Sequence, residues 1–562
     1  MLEREDSVSY GSYVGTSGSR TRLLAAMVMA LVCLAPVAGQ RTPQRPKLVL
    51  VLAIDQMRFD YLTRFAPLYT GGLKTLSERG AVFSNANYRH AATETGPGHS
   101  VILSGWHPSH SGIVANDWWD PLLKKVVNVV DDPVQSPLGG LGRRASPANA
   151  LSFTVGDVLK LKSPRSRVVG VSLKDRSAIL MAGRRGDAAY WYETAQGRFI
   201  TSTYYMSRAP GWLMRWNDRR LPDGYFGKTW SRLLPDAAIY EKFAGPDAIE
   251  GEWDREDTVF PHLLRNIPGD PLFYDDLRRT PFADEVTLSV ALEAMRAHQL
   301  GRDEDTDIFA VGFSATDIVG HTYGAESQEM MDQVLRLDVI LDKLFKEIDR
   351  TVGLANTLVV FTSDHGSLPL VENLQAKGVD ARRAPLAVLA GAVRTALTRK
   401  FPGVEGVVAY IGTDIPNIYF DEGVIRRRNL DRGDVERTAI DALMSTGLVE
   451  HVYTQADLLN GTNPADPYLK LFQNSFFQAR SPHLSVLVKK YAYVSPYVGG
   501  TGHGTAWDYD RHVPIIFMGE GIKPGTYAAE CGPEDIAPTL AQILGLDFPL
   551  EEDARLLTEM LK

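Results

Sequence analysis

The chain has 562 residues, 44% hydrophobic and 23% charged, with 49 Gly and 32 Pro, a balance that excludes a disordered, collagen-like or coiled-coil protein. A net charge of −8, from 60 Lys plus Arg against 68 Asp plus Glu with no long run of one sign, leaves no basic footprint for a nucleic acid. Two cysteines, Cys33 and Cys531, exclude a disulfide framework and a thiolate zinc finger, so any bound metal must be held by His and carboxylate.

The first 39 residues read as an export signal. Arg20 and Arg22 precede an apolar run over 23–38, too short for the roughly 18–20 residues of a spanning helix. The run closes on Pro36-Val37-Ala38-Gly39, small residues suited to cleavage before Gln40. Cys33 lies in the middle of the run, which argues against a lipoprotein. Cleavage removes three acids and three bases, so the mature charge stays at −8 and Cys531 is the single remaining thiol, as suits an oxidising compartment. The expectation is a periplasmic or secreted protein without a stable membrane span.

Residues 47–54 (KLVLVLAI) form an apolar run without alternation, the pattern of a strand buried on both faces. Similar runs recur at 166–173, 307–313, 357–362 and 513–518, and 81–89 reads as a further strand. Amphipathic helical patterns over 284–299, 328–349 and 533–544 lie between or after them. Strands alternating with helices predict an α/β fold with a mainly parallel central sheet covered on both faces. Two stretches read as insertions into one catalytic domain over 40–562. Residues 184–265 hold 11 aromatics between Tyr190 and Trp230, beginning with a hairpin-like alternation, and serve as a wall over the site, a small packed core, or both. Residues 368–500 read as a cap or lid.

Chemistry collects where the strands end, which is where open α/β sheets bind ligands. Asp55 follows the first strand and Lys174-Asp175-Arg176 the second; Asp317 with His321, then Asp364-His365, follow the next two. Each alone is an ordinary cap or turn former, but four such strand ends together are not. His503, in GGTGHGT, adds a further imidazole. Carboxylates and imidazoles without thiolate suit catalytic zinc, and six such side chains suffice for two ions acting on an in-line displacement. Thr95, before Gly-Pro-Gly in TETGPGHS, is the candidate nucleophile at a turn where backbone N–H groups can face an anion. Asn116, 21 residues on in GIVANDWWD, offers an amide to a phosphoryl oxygen.

These segments, with AIDQMRFDYL, SLKDRSAILMAGR, SATDIVGHTYG, FTSDHG and CGPEDIAPTLAQILG, resemble the alkaline phosphatase superfamily. The similarity is closest to the phosphate-irrepressible bacterial alkaline phosphatases with a Thr nucleophile, and it spans nearly the whole mature chain. The resemblance implies two zinc ions per chain: Asp55, Asp364 and His365 hold one, with the Thr95 alkoxide, and Asp317, His321 and His503 hold the other. It implies that Thr95 becomes phosphorylated and that Asn116, Lys174 and Arg176 contact the phosphoryl oxygens. The expected substrates are small phosphate monoesters, turned over by a monomer. Related phosphodiesterases and nucleotide pyrophosphatases share the metal ligands and the Thr/Asn pair but lack the Lys-x-Arg pair, and they form the alternative. Sulfatases need a Cys or Ser that Thr95-Gly96-Pro97-Gly98 does not provide.

Overall fold

A computed structural model describes residues 11–12, 45–253, 257–267 and 270–562. Apart from Gly11 and Ser12, the expected export signal lies outside the described residues. Among the described residues, no helix is long and apolar enough to cross a membrane.

The body from Arg45 onward is built on a ten-stranded sheet. In chain order its strands are β1 (Leu48–Ile54), β2 (Ala81–Phe83), β3 (Pro137–Leu138), β4 (Val168–Ser172), β5 (Ala188–Glu193), β6 (Arg198–Ser202), β7 (Asp307–Phe313), β8 (Thr357–Thr362), β9 (Ile515–Met518) and β10 (Gly525–Tyr527). They lie side by side in the order β10-β2-β9-β8-β1-β7-β4-β5-β6-β3. The centre, β8-β1-β7-β4-β5, is parallel throughout. β9 runs antiparallel between β8 and β2, and β6 returns antiparallel beside β5. The expected parallel sheet with helices on both faces is therefore present, with mixed margins.

β1 shows why its run carries no alternation. Leu48, Leu50, Leu52 and Ile54 enter one apolar core with Val334, Leu337, Leu341 and Leu344 of the helix Gln328–Thr351. Val49, Val51 and Ala53 enter the opposite core with Ile102, Leu103, Ile536 and Leu540. A strand covered on both faces needs an apolar side chain at every position.

The aromatic stretch begins as the expected hairpin, with Trp191 opposite Ile200 and Glu193 opposite Arg198. It prolongs the central sheet, and Tyr190, Tyr192, Phe199, Trp216 and Trp230 pack in the same core as β1. Residues 368–500 carry a second sheet of four strands, Val408–Ile411, Ile418–Phe420, Leu484–Val488 and Val449–Thr454. The helices Leu386–Lys400 and Arg432–Ser445 pack on it around a separate apolar cluster. The strand expected over 81–89 is regular only as far as Phe83; beyond it lie single bridges, Ala86 to Cys531 and Asn87 to His512.

Candidate active site

The carboxyl ends of β1, β4, β7 and β8 open into one cleft of about 260 Å3. Thr95, Asn116, Lys174, Arg176, Asp317, His321 and His503 line it. Asp55, Asp364 and His365 lie fully buried beneath. The structure thus brings together every site residue expected from the sequence.

Thr95 is the first residue of the helix Thr95–Ser104 and is buried. The glycines after it allow close approach: a Cβ on Gly98 would lie 2.2 Å from the Asp364 carbonyl oxygen. Asn116 is fixed twice, its Oδ1 accepting from the Gly96 N–H at 2.8 Å and its own N–H donating to Glu94 Oε2 at 2.7 Å. With Oδ1 engaged, its NH2 is the group left to act as a donor in the cleft. Lys174 Nζ and Arg176 Nη2 each donate to Thr95 Oγ1 at 3.2 Å. Lys174 Nζ also pairs with Asp55 Oδ2 at 2.7 Å and Asp317 Oδ2 at 2.6 Å.

The three expected histidine ligands share one arrangement. His321 Nδ1 lies 2.7 Å from the Thr501 carbonyl oxygen, His503 Nδ1 2.8 Å from that of Thr93, and His365 Nδ1 3.0 Å from that of Gly366. A carbonyl oxygen can only accept, so each Nδ1 carries a proton and Nε2 is the nitrogen turned to the acidic cluster. The Nε2 atoms turn towards carboxylates: His321 and His503 approach Asp317 Oδ1 at 3.2 and 3.5 Å, and His365 approaches Asp364 Oδ2 at 3.4 Å and Asp55 Oδ1 at 3.6 Å. Backbone carbonyls that fix the imidazole tautomer are a recurrent support of metal-ligating histidine. Two groups are close enough to hold an ion, Asp317/His321/His503 and Asp55/Asp317/His365, with Asp317 common to both. Asp364 reaches the second group through His365 and is also 3.1 Å from His99 Nδ1.

The electrostatics of this cluster suit cations. Burial, with the charges of Asp364 and Asp317, pushes the Asp55 carboxyl well above its ordinary value. Burial acts on Asp317 in the same direction, but Lys174 and His321 overcome it and hold that carboxyl well below its ordinary value. Burial holds the His365 ring down, at about 3, so it is neutral and able to donate its lone pair. Asp55 Oδ1, Asp364 Oδ2 and His365 Nε2 are buried and make no hydrogen bond. Buried acceptors of this kind are costly unless something positive satisfies them. Three carboxylates and three imidazoles with Nε2 turned inward therefore fit divalent ions bound by oxygen and nitrogen.

Two residues at the centre escaped the sequence reading. Gln56 donates from its N–H to Asp364 Oδ1 and from Nε2 to Asp317 Oδ1, both at 3.1 Å, and so ties the two ligand groups together. It does so at φ 63°, a left-handed conformation rare outside glycine. A Cβ on Gly320 would come 1.8 Å from Gln56 Oε1, so the glycine makes room for the amide. His99 Nδ1 lies 3.0 Å from the Thr95 carbonyl oxygen and 3.1 Å from Asp364 Oδ2, between the two segments. The signal for His99 was its place one helical turn after Thr95; nothing local marks Gln56 except its adjacency to Asp55. The cleft walls come from both long stretches, with Trp253 from residues 184–265 and Thr413, Asp414, Tyr493 and Tyr497 from residues 368–500.

Residues 49–418 match the family described as type I phosphodiesterase / nucleotide pyrophosphatase. Alkaline phosphatase PhoV of Synechococcus elongatus is 35% identical, over 94% of this chain and 95% of that protein. Alkaline phosphatase PafA of Elizabethkingia meningoseptica is 33% identical, over 92% and 95% respectively. The crystal structure of wild-type PafA superposes with a TM-score of 0.86 at 33% identity, covering 92% of this chain and 99% of that one. The chain accordingly belongs to the type I phosphodiesterase / nucleotide pyrophosphatase family of the alkaline phosphatase superfamily, and it is a phosphatase.

Proposed function

We propose that the protein is an exported alkaline phosphatase that hydrolyses small phosphate monoesters at a two-zinc site, through a phosphothreonine formed on Thr95. The observation that carries this reading is the pair of cations on one hydroxyl: Lys174 Nζ and Arg176 Nη2, each 3.2 Å from Thr95 Oγ1. A phosphoryl group joined to that oxygen meets both. A monoester presents a dianion, and two cations reward the additional charge; a diester carries a second substituent where those side chains reach.

Asp55, Asp364, His365 and Thr95 would hold one ion, and Asp317, His321 and His503 the other. When bound, zinc supplies positive charge that lowers the pKa of a coordinated hydroxyl or water and offsets charge on a departing oxygen. Thr95 Oγ1 attacks phosphorus in line; its O–P bond forms as the ester P–O bond breaks, and the leaving oxygen takes up a proton. Water then attacks the phosphothreonine, returning the Thr95 hydroxyl and inorganic phosphate. Through both displacements Lys174, Arg176 and the Asn116 NH2 face the non-bridging oxygens, where charge accumulates. Phosphoryl transfer allows little covalent help, so positioning and fixed charge of this kind account for most of the acceleration.

A second reading, phosphodiesterase or nucleotide pyrophosphatase, draws on the description of the matching family. Rates on p-nitrophenyl phosphate and bis-p-nitrophenyl phosphate separate the two, because both release the same chromophore. A preference for the monoester is expected, and a preference for the diester overturns the proposal. Export is tested by N-terminal sequencing of the protein recovered from the periplasm or medium, with Gln40 expected first.

A further inference from the structure

We propose that Trp253 and Tyr497 form an aromatic platform for the leaving group, which makes phosphate esters with a planar π-bearing leaving group, nucleoside monophosphates among them, the preferred substrates. This rests on the phosphomonoesterase reading above and deepens it.

Both side chains line the catalytic cleft, with ring centroids 5.1 Å apart and planes inclined by 34°. Tyr497 is 53% exposed and the adjoining Val498 84%, so a substantial apolar surface stands open at the mouth of a site whose floor is charged. Exposed aromatic surface beside a reaction centre is costly in water and serves where a partner covers it. The position of Trp253 is built, not incidental. Its N–H donates to the Thr322 carbonyl oxygen at 2.8 Å, one residue beyond His321. The Gly500 N–H donates to the Gly251 carbonyl oxygen at 2.6 Å, and a Cβ on Gly499 would lie 2.9 Å from Trp253 Cβ. Trp253 thus sits against the Gly499–Gly500 backbone, on the side of the cleft that carries Asp317, His321 and His503. That side receives the departing oxygen if Thr95 attacks in line.

The Arg279 guanidinium lies 6.0 Å from the centre of the Trp253 ring and is anchored by donation from Nη1 to Thr322 Oγ1 at 3.2 Å. A cation against one face of the indole stiffens it and leaves the remaining aromatic surface for a ligand. The platform acts on the leaving group, whereas Lys174 and Arg176 face the oxygen of Thr95. Stacking tolerates any flat ring, so the preference is for planarity and not for one base.

The test compares kcat/KM for adenosine 5′-monophosphate and ribose 5-phosphate, which share the leaving oxygen and differ by the ring. Wild type is expected to favour the nucleotide by about tenfold or more. In Trp253→Ala and, separately, Tyr497→Ala, that ratio is expected to fall towards one. Tyr497 is half exposed, so its variant keeps the test valid if Trp253→Ala does not fold. A wild-type ratio near one, or an equal loss on both esters in both variants, overturns the proposal, because the rings would then only support the loop beneath them. Equilibrium binding of adenosine against ribose to the same three proteins reads the platform without turnover. Selective adenosine binding lost in both variants, in a protein that hydrolyses neither ester, refutes the phosphomonoesterase reading and retains the platform. Turnover of both esters without adenosine discrimination refutes the platform alone.

Discussion

Replacing Lys174 by Met separates the two reactions this superfamily performs. The ammonium is buried, 3.2 Å from Thr95 Oγ1 and within 2.7 Å of carboxylate oxygens on Asp55 and Asp317. Methionine preserves most of the volume, so the change removes charge and hydrogen bonds without opening a large cavity. A hydrogen bond to a charged group is worth about 1.5–3 kcal/mol, and loss of one donor aimed at a developing oxyanion costs about 10²–10³ in rate. The monoester dianion uses that donor fully, so kcat/KM on p-nitrophenyl phosphate is expected to fall by about 10²–10³. The diester gains less from the same charge, and its rate is expected to fall by about tenfold or less. The assay is steady-state release of p-nitrophenolate from both esters, with metal content measured in wild type and variant by elemental analysis. Equal losses on the two esters at unchanged metal content would refute the argument that Lys174 distinguishes a dianion from a monoanion.

Thr95→Ala is expected to abolish turnover, and acid quenching of wild type during turnover of labelled ester should leave phosphate on Thr95, located by mass spectrometry; a fully active alanine variant excludes the covalent route. Dialysis against a chelator should remove activity and lower Tm, because Asp55, Asp317 and Asp364 are then left crowded together, and about two equivalents of zinc should restore both. Gln56→Ala removes the side-chain tie to Asp317 and should weaken metal binding by about 10–100-fold, read by competition with a chromogenic chelator. Asp284, which accepts from the Ala315 N–H at the start of the helix that carries Asp317, gives a pH dependence. Burial pushes its carboxyl up to about 7, against the pull of donors on Ala315 and Gln333, so the folded chain keeps a proton that the unfolded chain releases near pH 4. Its contribution is full below the unfolded value and is lost as pH rises through about 7. Denaturant titrations from pH 4 to 8 should show that decline shrinking in Asp284→Asn, and an unchanged slope would count against it.

The legible parts of this protein were those fixed by local chemistry. A strand covered on both faces must be apolar at every position, so the runs at 47–54 and 307–313 correspond to Leu48–Ile54 and Asp307–Phe313 within one residue. A carboxylate immediately after such a run stands at the open end of the sheet, which is why Asp55, Asp364 and, one turn into its helix, Asp317 could be picked out. Strand direction was less accessible: the apolar run at 513–518 looks like its parallel neighbours, yet β9 lies antiparallel to β8 and β2, because direction depends on the path of the connecting chain and not on side-chain pattern.

Sequence alone determined the chemical inventory, the alternation of buried strands with helices, and a threonine at a helix start, since residue type and short-range periodicity carry all three. Tertiary structure decided which groups meet. Gln56 bridges residues 261 and 308 positions away, Lys174 stands between Asp55 and Asp317, and Trp253 lies against the Gly499–Gly500 backbone. Contacts across such separations arise only when the sheet gathers its strand ends, and no local pattern encodes them.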